Sequence, residues 1–140
     1  MHARVVIAAV ALAAGASACG ADEDRENALR PPAPINVTVA IDSERVRVTP
    51  PSFGAGPVVI IVSNQSGRPQ EVTFETDELG GDSGGIRRSI GPIAPLSTGT
   101  MTVDPREGTY RLATGSRGIR PARIEVSAPR PSAQNDLDLP

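Results

Sequence analysis

The sequence predicts an all-β domain, a sandwich of about seven or eight short strands. Three observations predict it. Apolar and polar residues alternate in short runs, the period of a strand with one buried face. No window past residue 18 holds apolar residues at the spacing of a helix. Fourteen prolines and fourteen glycines suit many short strands joined by turns.

The elements follow in chain order, beginning with MHARVVIAAVALAAGASACG. A basic start (His2, Arg4), an apolar run from Val5 to Ala14 and small residues before Cys19 are the order of a secretory signal. The apolar run is shorter than the roughly 20 residues that a membrane-crossing helix needs. The ending ASAC, Ala16 to Cys19, resembles the lipobox of bacterial lipoproteins. That resemblance implies a signal peptide over 1–18, cleavage between Ala18 and Cys19, and diacylglycerol attached to the Cys19 sulfur. Cys19 is the only cysteine, so it has no intrachain disulfide partner, and lipidation explains an odd thiol in an exported chain. The other readings are an ordinary secretory signal that leaves a free thiol, and an uncleaved anchor. Two acyl chains give stable anchoring. The expected location is the extracytoplasmic face of the cell membrane.

Residues 20–34, GADEDRENALRPPAP, are acidic and then proline-bearing, with no apolar period. Such a composition cannot bury enough apolar area to offset ordering, so 19–34 reads as a lipidated cysteine on a flexible tether. As a loose coil it spans about 20 Å. Residues 128–140, APRPSAQNDLDLP, read as a disordered tail.

The domain is expected over 35–127, long enough for a single core. INVTVAI (35–41) and RVRV (45–48) alternate, and TPPS breaks the run. PVVIIV (57–62) is a continuous β-branched run, as in a central strand covered on both faces. NQSG (64–67) is a turn before the alternating QEVTFE (70–75). STGTMTV (97–103) and TYRLAT (109–114) flank the turn DPREG, and ARIEV (122–126) closes the domain. Residues 77–92 read as a long Gly-rich connection. The expected core is Val37, Val39, Val58, Ile60, Val72, Phe74, Met101, Val103, Leu112, Ile124 and Val126.

The order of these pieces resembles the cupredoxin-like family. The strand Ile60–Asn64 leads into Arg68-Pro69-Gln70-Glu71-Val72, where the family has a proline-histidine pair. Ile93-Ala94-Pro95-Leu96-Ser97 and Pro105 to Tyr110 match its later hairpin, which leads into the copper loop and the last strand. The resemblance covers roughly 35–127 and implies a Greek-key sandwich. It does not bring the copper ligands with it. The family's first histidine falls on Gln70, its cysteine on or near Thr114, its second histidine near Arg117, and its axial methionine near Ile119 or Arg120. A blue-copper site needs two imidazoles and a thiolate. Past Cys19 the chain has neither residue type, and Met101 reads as core. No cofactor and no metal are expected.

Other motifs carry less. GGDSGG (80–85) looks like the setting of a protease nucleophile, but Ser83 lacks a base: the one histidine is His2, and all fourteen basic residues are arginines. No catalytic residue and no enzyme activity are expected. Glu75, Asp77, Glu78 and Asp82 could offer oxygens to calcium, but lack a recognised spacing. After cleavage thirteen basic residues face sixteen acidic ones, a net charge of −3, which argues against nucleic acid. Phe53, Phe74 and Tyr110 are the only aromatics available for stacking on bases. By the resemblance, Arg87, Arg88, Arg117 and Arg120 share one end of the sandwich, as a patch for a small anionic ligand or an envelope protein. The expected role is a membrane-anchored binding module. The alternative is a redox or metal-handling protein whose partner supplies ligands.

Overall fold

The computed structural model describes residues 30–77 and 85–132. Cys19 with the segments around it, Glu78, Asp82 and Ser83, and residues 133–140 lie outside the described residues.

Nine strands form two packed sheets among the described residues: β1 Ile35–Ile41, β2 Val46–Thr49, β3 Ser52–Ala55, β4 Val58–Asn64, β5 Gln70–Thr76, β6 Arg87–Ile93, β7 Thr98–Val103, β8 Gly108–Thr114 and β9 Ala122–Pro129. One sheet runs β2-β1-β4-β7 and the other β3-β9-β8-β5-β6. Two pairs are parallel, β1 with β4 and β3 with β9; the remaining pairs are antiparallel. The all-β sandwich is as expected, with more strands than the seven or eight predicted.

Alternation explains the core. Val37, Val39 and Ile41 of β1 and Val58, Ile60 and Val62 of β4 turn one row of branched side chains inward. Val72, Phe74, Leu112, Ile124 and Val126 answer from the opposite sheet. Each such side chain contributes on the order of 1.5–3 kcal/mol when fully buried. Phe74 and Tyr110 stack with centroids 4.9 Å apart, and the Tyr110 hydroxyl donates to the Arg106 carbonyl. Every predicted core residue is buried. β4 is central in its sheet, but its outer residues Val59 and Ile61 are only half-buried, because a two-layer sandwich places nothing over them.

Two further expectations change. The connection expected over 77–92 contains β6, held on β5 by Val72 opposite Ile90 and by a 2.8 Å hydrogen bond between the Thr73 and Ser89 hydroxyls. β6 comes so close to the bulged start of β5 that a Cβ on Gly91 would lie 2.8 Å from the Gln70 carbonyl oxygen. Gly91, at φ +129°, supplies the conformation as well. The ordered chain also passes Ser127: β9 continues to Pro129 by pairing Ala55 of β3, and the Arg130 N–H donates to the Ala55 carbonyl.

The strands define two poles. At the lower pole the chain enters β1 and leaves β9 side by side. There the Arg130 guanidinium donates to three carbonyls, Gly54 (3.0 Å), Ala33 (2.8 Å) and Pro57 (2.7 Å). A Cβ on Gly54 would sit 2.5 Å from the Arg130 Cγ, so the arginine stem requires glycine there. The upper pole gathers the turns 42–45, 65–69, 94–97 and 115–121.

Candidate functional site

The upper pole is organised by buried polar side chains. Asn64 ends β4 facing inward and is fully buried. Its Oδ1 accepts from the Ser66 N–H (2.9 Å) and hydroxyl (2.7 Å). Its Nδ2 donates to the carbonyls of Arg68 and Ile93, both at 2.8 Å. The side chain thereby uses its two donors and both acceptor positions, as a buried amide must to offset desolvation. Its backbone accepts from the Leu96 N–H at 2.7 Å and donates to the Ser97 carbonyl, so turn 94–97 hangs from the same residue. Leu96 takes φ 60° in that turn.

Gln70 opens β5 and is 2% exposed. Its Nε2 donates to the Ser66 hydroxyl at 3.1 Å, and its Oε1 accepts from the Ser116 hydroxyl at 2.9 Å. Ser116 belongs to turn 115–121, where the Ile119 N–H donates to the Ser116 carbonyl and the Ile119 side chain is buried. The Gly115 N–H reaches the Glu71 carbonyl at 3.2 Å. Gln70 thus joins turn 65–69 to turn 115–121.

These are the positions where the resemblance places copper ligands. Gln70, Thr114 and residues 116–119 do meet at one pole. What they offer is an amide with both polar atoms engaged, hydroxyls, a guanidinium and an alkyl group. That set does not fit a copper site, which needs imidazole and thiolate. Among the described residues no three His, Cys, Asp or Glu side chains come together as a metal group.

The expected arginine patch divides. Arg117 and Arg120 lie in turn 115–121 at the upper pole. Arg87 and Arg88 pair with Glu75 and Phe74, five and four residues along β5 from Gln70. At about 3.3 Å per residue, Arg87 lies roughly 17 Å from that pole. The physical reason is β6: the segment expected to loop over the pole lies flat as an edge strand. Glu75 and Asp77, expected as calcium oxygens, face arginines instead: Glu75 pairs with Arg111 and with Arg87 (3.7 Å), Asp77 with Arg123 (3.5 Å). Met101 is buried in the core, as read from the sequence.

Sequence reasoning missed Arg68 and Ser43, which with Ser66, Gln70, Ser116 and Arg117 line a cleft of about 470 Å³ at the upper pole. Arg68 stood in the proline-bearing motif, but its partners come from turns distant in sequence. Nearby Asp42 is occupied. Its Oδ1 accepts from the N–H groups of Glu44 and Arg45, both at 2.8 Å, and its Oδ2 pairs with Arg47. These two N–H groups, then the guanidinium, hold its carboxyl below the ordinary value of 3.8.

No family model matches the chain, and no curated protein matches it. Among solved structures the chain is similar to dithionite-reduced auracyanin from the photosynthetic bacterium Roseiflexus castenholzii. That alignment covers 70% of this chain and 99% of the other, at 12% identity and a TM-score of 0.46. It is also similar to the multicopper oxidase mgLAC, over 70% of this chain and 39% of the oxidase, at 14% identity and a TM-score of 0.41.

Proposed function

We propose that this chain is a cell-envelope lipoprotein whose cupredoxin-like sandwich serves as a binding module rather than as an electron carrier or an enzyme. The envelope part rests on the signal pattern before Cys19 and on that cysteine's being the only one. The binding part rests on one observation above all. Gln70, at the place where the family keeps its first histidine, has its amide nitrogen and oxygen tied to Ser66 and Ser116. A pole finished in this way is a rigid rim for contacts, with no soft ligand to hold a redox metal.

Two measurements test the two parts separately. Radiolabelled palmitate fed to cells is expected to mark the full chain and not its Cys19→Ala variant; equal labelling of both, or none, overturns the anchor. Copper titrated into the purified Cys19→Ala chain, which has no thiol, is expected to give no stoichiometric site. A one-to-one site overturns the binding-module reading in favour of metal handling.

A further inference from the structure

We propose that the cleft between turns 42–45, 65–69 and 115–121 binds a small molecule through one oxyanion group, a phosphate or a carboxylate. The proposal rests on reading the domain as a binding module and is independent of the lipid anchor.

The lining decides the sign of the ligand. Arg68 and Arg117 stand on the two facing turns, and no acidic residue lines the cleft. Neither arginine forms an ion pair among the described residues, whereas Arg47, Arg87, Arg111 and Arg123 all do. The surrounding turns hold Arg45 and Arg120 on adjacent backbone, Arg45 bridging Arg120 and the Val46 N–H donating to the Arg120 carbonyl at 2.8 Å. Like charges on directly paired residues repel. Against these four cations the turns carry Asp42, already satisfied, and Glu44. The upper pole is therefore cationic on a chain with more acidic than basic residues, and such a cleft draws in anions.

Donors are available where an oxyanion would sit. The backbone N–H groups of Gly67, Arg117 and Gly118, and the Ser43 hydroxyl, have no hydrogen-bond partner among the described residues. Successive N–H groups in a turn make an anion-binding concavity, and guanidinium adds charge-assisted bonds to phosphate or carboxylate. The floor is fixed, because Ser66, Gln70 and Ser116 are bonded to one another. Little ordering then remains to be met on binding. Buried Ile119 adds an apolar wall beside the polar donors, so the ligand is an organic phosphate or carboxylate with a short apolar body.

Inorganic phosphate and succinate are the probes, titrated into the isotope-labelled full chain at constant ionic strength and followed by amide NMR. The expected result is saturable shifts centred on Gly67, Arg117 and Gly118. The Arg68→Gln/Arg117→Gln double variant is expected to weaken binding at least about tenfold. The Arg106→Gln variant at the lower pole is expected to leave it unchanged. Because both cleft arginines are exposed, thermal unfolding of the double variant should match the parent. Three results overturn the site: shifts that never saturate, shifts spread equally over Arg88 and Arg106, or a double variant that binds as the parent does. Copper titrated into the Cys19→Ala chain separates the two readings. A null copper result with no anion binding removes this site alone, while a one-to-one copper site removes the binding-module reading beneath it.

Discussion

The Ser116 hydroxyl donates a 2.9 Å hydrogen bond to the Gln70 Oε1, joining the β8–β9 turn to the first residue of β5. The bond spans forty-six residues of sequence and is part-buried, so losing one partner leaves the other desolvated. Ser116→Ala is expected to destabilise the chain by about 1–2 kcal/mol and Gln70→Leu by somewhat more, since Ser66 also loses its donor. The double variant should cost less than the two combined, with a coupling of about 1 kcal/mol in a double-mutant cycle read by urea unfolding. Strict additivity would show that the bond does not tie the turns together.

Arg130 carries the second prediction. Its three charge-assisted bonds fasten Ala33, Gly54 and Pro57 at the lower pole. Arg130→Met keeps most of the aliphatic stem and removes the fork, with an expected loss of about 2 kcal/mol. Arg130→Lys should fall between the two, because an ammonium cannot span three carbonyls as a planar fork does. Hydrogen exchange at the Ile35 amide, which donates to the Pro57 carbonyl, should quicken in the same order, and an unchanged exchange rate in Arg130→Met would refute the fastening.

The third concerns pH. Asp42 has its folded pKa lowered by the N–H groups of Glu44 and Arg45 and by Arg47. A lowered folded pKa means that the carboxylate's contribution is present above the unfolded value and is lost as pH falls through the folded one. Asp42→Asn should therefore be less stable than the parent at neutral pH and converge on it in acid, below about pH 4. Thermal unfolding across that range checks the convergence; a gap that widens in acid would contradict it.

Much of the fold was legible because burial imposes a period of two on each strand. β1, bounded by Ile35 and Ile41, coincides with the alternating run INVTVAI, and the whole predicted core row is inside. β3 and β6 were not legible. SFGA is short and holds a glycine that makes room for Arg130, while RRSIGPI is an edge strand with little inward apolar demand and a Gly-Pro step. Strand pairing, a non-local property, supplied what their composition did not. The same cause divided the arginine patch: Arg87 and Arg88 follow β6 away from the pole where Arg117 and Arg120 stand. Gln70 was legible as a departure from the family pattern. Its hydrogen bonds to Ser66 and Ser116 were not, since they depend on which turns the topology brings together.

The seven paired positions between β1 and β4 run parallel from Ile35 opposite Val58 to Ile41 opposite Asn64. If the chain is tethered by Cys19 as proposed, a partner tugging on the upper pole loads β1 along its own axis. Its hydrogen bonds to β4 on one flank and to β2 on the other then bear the load together, in shear, instead of opening one after another. This architecture is suited to holding a grip under tension.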